Sequence, residues 1–122
     1  MEEDAEQKAY IEKMLLDPYN AYCVDCKDDP STHFNTGFGI WICTACAKLH
    51  MEQTSDRVKP AVGEIWDSHT LKVAHMGGNQ QWHDYLEEYK ANNQKVKTGW
   101  KYKNGNAKWY KRSLQMRAYG LV

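Results

Sequence analysis

All four cysteines of this 122-residue chain fall into one pattern, Cys23-x2-Cys26-x16-Cys43-x2-Cys46. Two pairs with two-residue spacers suit four thiolates around one zinc ion, because a short turn lets both sulfurs of a pair face a single tetrahedral centre at about 2.3 Å. Backbone amides in such turns point at the sulfurs and offset their charge. Two disulfides would need an oxidising compartment, and redox C-x-x-C pairs rarely come as a matched set. The expected cofactor is therefore one Zn2+ on Cys23, Cys26, Cys43 and Cys46. Four protein ligands leave no position for water, so the ion is expected to be structural, and no catalytic residue is assigned.

A chain of this length buries roughly two-thirds of the surface its unfolded form exposes, enough for one modest core. Apolar residues make up 42%, with five tryptophans and eight tyrosines, a globular composition. No apolar run approaches the roughly 20 residues that span a bilayer. The opening residues MEEDAEQK have neither an apolar signal core nor an Arg-rich transit character. An intracellular, most simply cytoplasmic, protein is expected, with an organelle interior such as the mitochondrion left open. The net charge of zero hides a division: residues 1–89 hold all sixteen acidic side chains against seven basic ones, and residues 90–122 hold nine basic and none acidic.

Tyr10, Ile11, Met14 and Leu15 have the spacing of one helical face, which predicts a helix from about Glu6 to Leu16, ended by Asp17-Pro18. Phe38, Ile40 and Ile42 alternate with Gly39 and Trp41, a short strand running into Cys43. A helix to about Gln53 follows Cys46, and a strand over about Arg57–Val62 has Pro60 at an edge or end. Asp67 reads as the N-cap of a helix from Ser68 to Met76, stopped by Gly77-Gly78. Trp82, Tyr85, Leu86 and Tyr89 mark another helical face. Beyond Asn92 the chain turns to Lys, Asn, Gly and aromatics, including Trp100, Tyr102, Trp109 and Tyr110. Asn104-Gly105 reads as a turn and Arg112–Tyr119 as a last helix. Trp66 and Trp82 read as core, Asp25, Asp28 and Asp29 as solvated loop charges, and His50 as structural. His69, His75 and His83 read as surface or packing residues.

The residues around the cysteines resemble the zinc-finger domain of the Arf GTPase-activating proteins. Leu15 to Cys26, LLDPYNAYCVDC, is similar to that family's helix, proline, asparagine and C-x-D-C entry. Gly39-Ile40-Trp41-Ile42-Cys43 resembles its strand, and Cys46-Ala47-Lys48-Leu49-His50 resembles its C-S-G-I-H. Ile65-Trp66-Asp67 resembles its W-D helix entry, and Gly78-Asn79 its G-N turn. The resemblance implies an α+β fold, with a small three-stranded sheet and the zinc knuckle surrounded by about five helices. Residues 1–91 would form the domain and 92–122 a basic, aromatic-rich extension, its end similar to the family's closing helix.

The departures shape the functional expectation. The resemblance implies an arginine finger just after His50, where this chain has Met51, with no charge and no donor. The loop Glu52 to Asp56 is about two residues short, and His33 takes the place of a spacer tryptophan that Phe34 beside it could fill. Arg57 matches a basic strand position and reads as a surface charge. The expectation is therefore a domain that is not an enzyme or an active GTPase activator, serving as a protein-interaction or structural subunit of a larger assembly. The alternatives are an active GTPase activator for an Arf-like small GTPase, through its switch loops or the partner's own residues, and a nucleic-acid binder using the basic tail. For residues 92–122 an acidic protein surface or self-docking is preferred over nucleic acid or anionic lipid.

Overall fold

The computed structural model describes residues 5–88 and 98–120. In chain order the elements are α1 (Ala5–Met14), α2 (Pro18–Ala21), β1 (His33–Asn35), β2 (Ile40–Ile42), α3 (Thr44–Gln53), β3 (Val58–Pro60), α4 (Ser68–Met76), α5 (Asn79–Glu88), α6 (Thr98–Lys103) and α7 (Gly105–Ala118). The sheet is antiparallel with order β2-β1-β3, and Phe34 pairs with Trp41 on one side and Lys59 on the other. The architecture is the expected α+β arrangement with a small three-stranded sheet. Among the described residues, no helix is long and apolar enough to cross a membrane.

Several element boundaries differ from the sequence reading for local reasons. The first helix ends at Met14, and Asp17 caps a separate turn of helix by accepting from the Tyr19 amide, with Pro18 at its first position. The strand β1 left no signal in its three residues, HFN, and owes its existence to pairing on both sides. Asn104-Gly105 is a helix start rather than a turn, because the Asn104 side chain accepts from the Ala107 amide. Helix α7 therefore begins seven residues before the expected Arg112. Its buried stripe is Ala107, Tyr110, Leu114 and Ala118. The domain boundary expected at 91/92, and Tyr89, lie outside the described residues.

The strand β2 runs into Cys43 as expected, and Ile40, Trp41 and Ile42 are all buried. Aromatic rings fill one side of the core: Phe34 stacks on Trp66 with centroids 5.0 Å apart, and Trp41 stacks on Trp66 at 5.7 Å. Phe34, beside His33 in the spacer, is fully buried between these two tryptophans. A second cluster joins Phe38, Trp82, Tyr102 and Tyr110, so α6 and α7 contribute directly to the core. Where the chain turns into β2, Gly39 has φ +64°, and a Cβ there would stand 2.9 Å from the Leu114 side chain. Glycine meets both demands at once.

On the outer side of the edge strand β2 the Trp41 carbonyl accepts from the Val24 amide at 3.1 Å, which leaves the Trp41 amide to be paired. Asn79, fully buried at the start of α5, fills that place. Its Oδ1 accepts from the Trp41 amide at 2.6 Å, and its Nδ2 donates to the carbonyls of Trp41, Tyr19 and Tyr22 at 2.9–3.1 Å. One side-chain amide thereby acts as the missing neighbouring strand and ties it to α2. Asn79→Ala strands the buried Trp41 amide and removes the donor to the part-buried Tyr19 and Tyr22 carbonyls, while the Trp41 carbonyl keeps the Val24 amide at 3.1 Å. A buried group left unpaired costs about 1–3 kcal/mol. Thermal and denaturant unfolding should show a loss of that size or more. Asn79→Asp, which turns the donor into an acceptor facing three carbonyls, should be no milder.

Candidate functional site

Two short segments bring the four cysteines together. Cys23 opens a tight turn closed by the Lys27 amide on the Cys23 carbonyl at 2.9 Å, with Lys27 in the left-handed region at φ 64°. Cys43 ends β2 and caps α3, its Sγ accepting from the Cys46 amide at 3.4 Å. The ligand atoms of all four lie within 4.8 Å of one another. Cys26 Sγ and Cys43 Sγ are 3.8 Å apart, too far for a disulfide and equal to the edge of a tetrahedron with bonds of about 2.3 Å.

The protonation chemistry of the set also fits a cation. A hydrogen bond from the Cys46 thiol draws Cys23 down to about 5, against the effect of burial, with help from the Cys26, Cys43 and Asp25 amides. The bond to Cys23 in turn pushes the Cys46 thiol far up, and burial raises Cys43. Four sulfurs this close cannot all ionise against one another, and a dication at their centre removes the conflict. The residues fit one structural zinc ion, which would supply no chemistry beyond holding the knuckle.

Asp25, expected to be solvated, is instead 11% exposed at its side chain. Its Oδ2 accepts from His50 Nε2 at 2.7 Å, and its Oδ1 accepts from Tyr102 Oη at 2.5 Å and Lys101 Nζ at 3.3 Å. Burial pushes the Asp25 carboxyl up, but His50, Lys101 and Tyr102 together outweigh it and hold it below the usual carboxylate range. The Tyr102 hydroxyl is raised well above its ordinary value by burial and by Asp25. His50 is fully buried, the structural role expected of it, and its Nδ1 meets Asn35 Nδ2 at 2.9 Å. Asp28 and Asp29 are exposed.

Met51 lies on α3 one residue beyond His50 and is 55% exposed. Lys48, Met51 and Glu52 share an outer face of the helix at three- and four-residue spacing, with half-exposed Leu49 beside them. The short loop after α3 is pinned: the Thr54 amide and hydroxyl both donate to the His50 carbonyl, and Asp56 accepts from Lys111 Nζ at 2.8 Å. Arg57 is exposed, its carbonyl accepting from the amide and hydroxyl of Thr36. The roles of Lys101 and Tyr102 escaped sequence reading because their partner, Asp25, is more than 70 residues away.

This chain matches the ArfGap family, described as "Putative GTPase activating protein for Arf", over residues 8–119. It belongs to that family. It is 30% identical over 96 residues to the "Probable ADP-ribosylation factor GTPase-activating protein AGD14" of Arabidopsis thaliana, a match covering 78% of this chain and 14% of that protein. The chain thus spans about one-seventh of that relative's length. The fold is similar to a putative GTPase activating protein for ADP ribosylation factor from Cryptosporidium parvum, with TM-score 0.83, 20% identity, and 93% and 91% of the two chains covered. It is also similar to the ArfGap domain of HIV-1 Rev binding protein, with TM-score 0.66, 18% identity, and coverage of 93% and 83%.

The family assignment corrects one expectation. Met51 in place of an arginine suggested a chain with no role as an enzyme or GTPase activator, whereas the matched family is described as GTPase-activating across nearly the whole domain. The physical reason is that one substitution removes one charge, and it leaves the zinc knuckle, the sheet and the exposed face of α3 in place. The zinc assignment yields its own test. Treatment with a strong chelator should abolish the cooperative thermal transition, and readdition of zinc should restore it, as followed by circular dichroism.

Proposed function

We propose that this zinc-stabilised ArfGap domain stimulates GTP hydrolysis by a small GTPase of the Arf class. The observation that carries the reading is the family match over residues 8–119, which spans the zinc knuckle, α3 and the closing helix α7. The surface offered to the GTPase is the outer face of α3, where Leu49 and Met51 provide apolar area flanked by Lys48 and Glu52. Water attack on a bound nucleotide depends on an ordered water and on neutralising the charge of the transferring phosphoryl group. A methionine can do only the first kind of work, by packing against mobile loops of the GTPase and holding their own water-orienting side chains in place.

Single-turnover GTP hydrolysis across Arf-class GTPases, with and without the domain, tests the proposal. Acceleration that saturates with domain concentration is expected, and a rate unchanged by the domain for every GTPase tried overturns it. Met51→Arg should raise the stimulated rate by about tenfold or more, yet fall short of the roughly 10³ to 10⁵ that an arginine finger commonly supplies, because the loop after α3 is short and pinned. Arg57→Ala should change the rate by less than about threefold. A complete loss on that substitution would move the charge-neutralising role to Arg57.

A further inference from the structure

Asp25 does two things at once. It lies between two of the cysteines, its backbone amide pointing at Cys23 Sγ, and its carboxylate accepts three hydrogen bonds from side chains on two other elements. One of those elements is α3, through His50. The other is α6, through Lys101 and Tyr102, which come from the part of the chain that carries no acidic residue.

The polarity of this network is fixed from its far end. Asn35 Oδ1 accepts from the amides of Gly37 and Phe38 at 2.9 and 3.0 Å, so its Nδ2 must be the group facing His50 Nδ1. An Nδ2 donor makes Nδ1 of the imidazole an acceptor, which leaves the proton on Nε2, aimed at Asp25. His50 also packs against the Tyr102 ring with centroids 4.5 Å apart. The His50 donor to the carboxylate is therefore fixed in orientation. Because the side chain of Asp25 is held from three directions, its amide is held toward Cys23 as well.

We infer that Asp25, Tyr102 and Lys101 form an outer carboxylate clamp on the metal centre, so that α6 sets how tightly the cysteine knuckle retains zinc. The donor of greatest consequence is Tyr102, nearly fully buried and bonded to the same oxygen as Lys101. Outer partners of this kind commonly change metal affinity by about 10- to 100-fold when removed. Tyr102→Phe deletes one hydroxyl and keeps the ring in its aromatic cluster. Tyr110→Phe is the matched comparison: Tyr110 is equally buried in the same cluster, but its hydroxyl donates to Gln81 at 3.1 Å and has no link to Asp25.

The test uses the full zinc-loaded chain and its Tyr102→Phe, Asp25→Asn and Tyr110→Phe variants. Transfer of zinc to a chromogenic chelator is timed well below the unfolding temperature of each. Tyr102→Phe and Asp25→Asn should release zinc about tenfold or more faster than the parent chain, and Tyr110→Phe should match the parent even where its unfolding temperature has fallen. With cobalt(II) in place of zinc, the thiolate-to-metal charge-transfer bands should shift in the first two variants only. If release follows unfolding temperature alone across the three variants, or Tyr102→Phe behaves as Tyr110→Phe does, the clamp is overturned. Should Asp25→Asn fail to fold, Tyr102→Phe still decides.

Discussion

Four sulfur atoms held within a few ångströms of one another constrain everything else in this domain. They belong to two segments, the turn after α2 and the junction of β2 with α3, which also meet through the Val24 amide on the Trp41 carbonyl at 3.1 Å. Bringing them together fixes where β2 ends and in which direction α3 departs, since the same cysteine that ends the strand caps the helix. The sheet is only three residues deep on each strand. A sheet that small is stable only when its edges and faces are covered, and the metal knuckle supplies the frame on which the covering helices are laid.

Around that frame the chain uses single polar side chains in place of whole elements of secondary structure. Asn79 pairs with an edge strand as a neighbouring strand would. Gln7 does similar work for the first helix, donating to the Glu64 carbonyl at 2.7 Å and accepting from the Trp66 amide at 2.8 Å. Each is a long-range contact made by a neutral amide, which can donate and accept at once and costs less to bury than a charge. Asp25 is a charged counterpart: a largely buried carboxylate on which three donors converge.

The metal site was fully legible in the sequence, because a spacing rule relates residues three apart and the chemistry of thiolates narrows the choice. So were the cap at Asp67 and the helix after it, and the aromatic core positions Trp66 and Trp82, whose signals are local. The strand His33–Asn35 was not, since three residues carry no usable periodicity and only pairing on both sides defines it. Asn104-Gly105 was ambiguous for a different reason: asparagine suits both turns and helix caps, and the stripe Ala107, Tyr110, Leu114 that decides the matter begins with an alanine. The burial of Asp25 depends on Lys101 and Tyr102, far along the chain, and no local pattern announces such a partnership. For function, one residue at position 51 was given more weight than a domain-wide likeness warranted.

The tight approach of Gly39 to Leu114 has a temporal meaning. A chain is made from its N-terminus at about 5–20 residues per second, so the cysteine knuckle is available for metal several seconds before the helix bearing Leu114 exists. In that interval the turn at Gly39 lacks the Leu114 side chain that packs against it in the folded domain. Zinc can therefore bind the knuckle before α7 is made, and α7 then sets Leu114 against the turn that leads into β2.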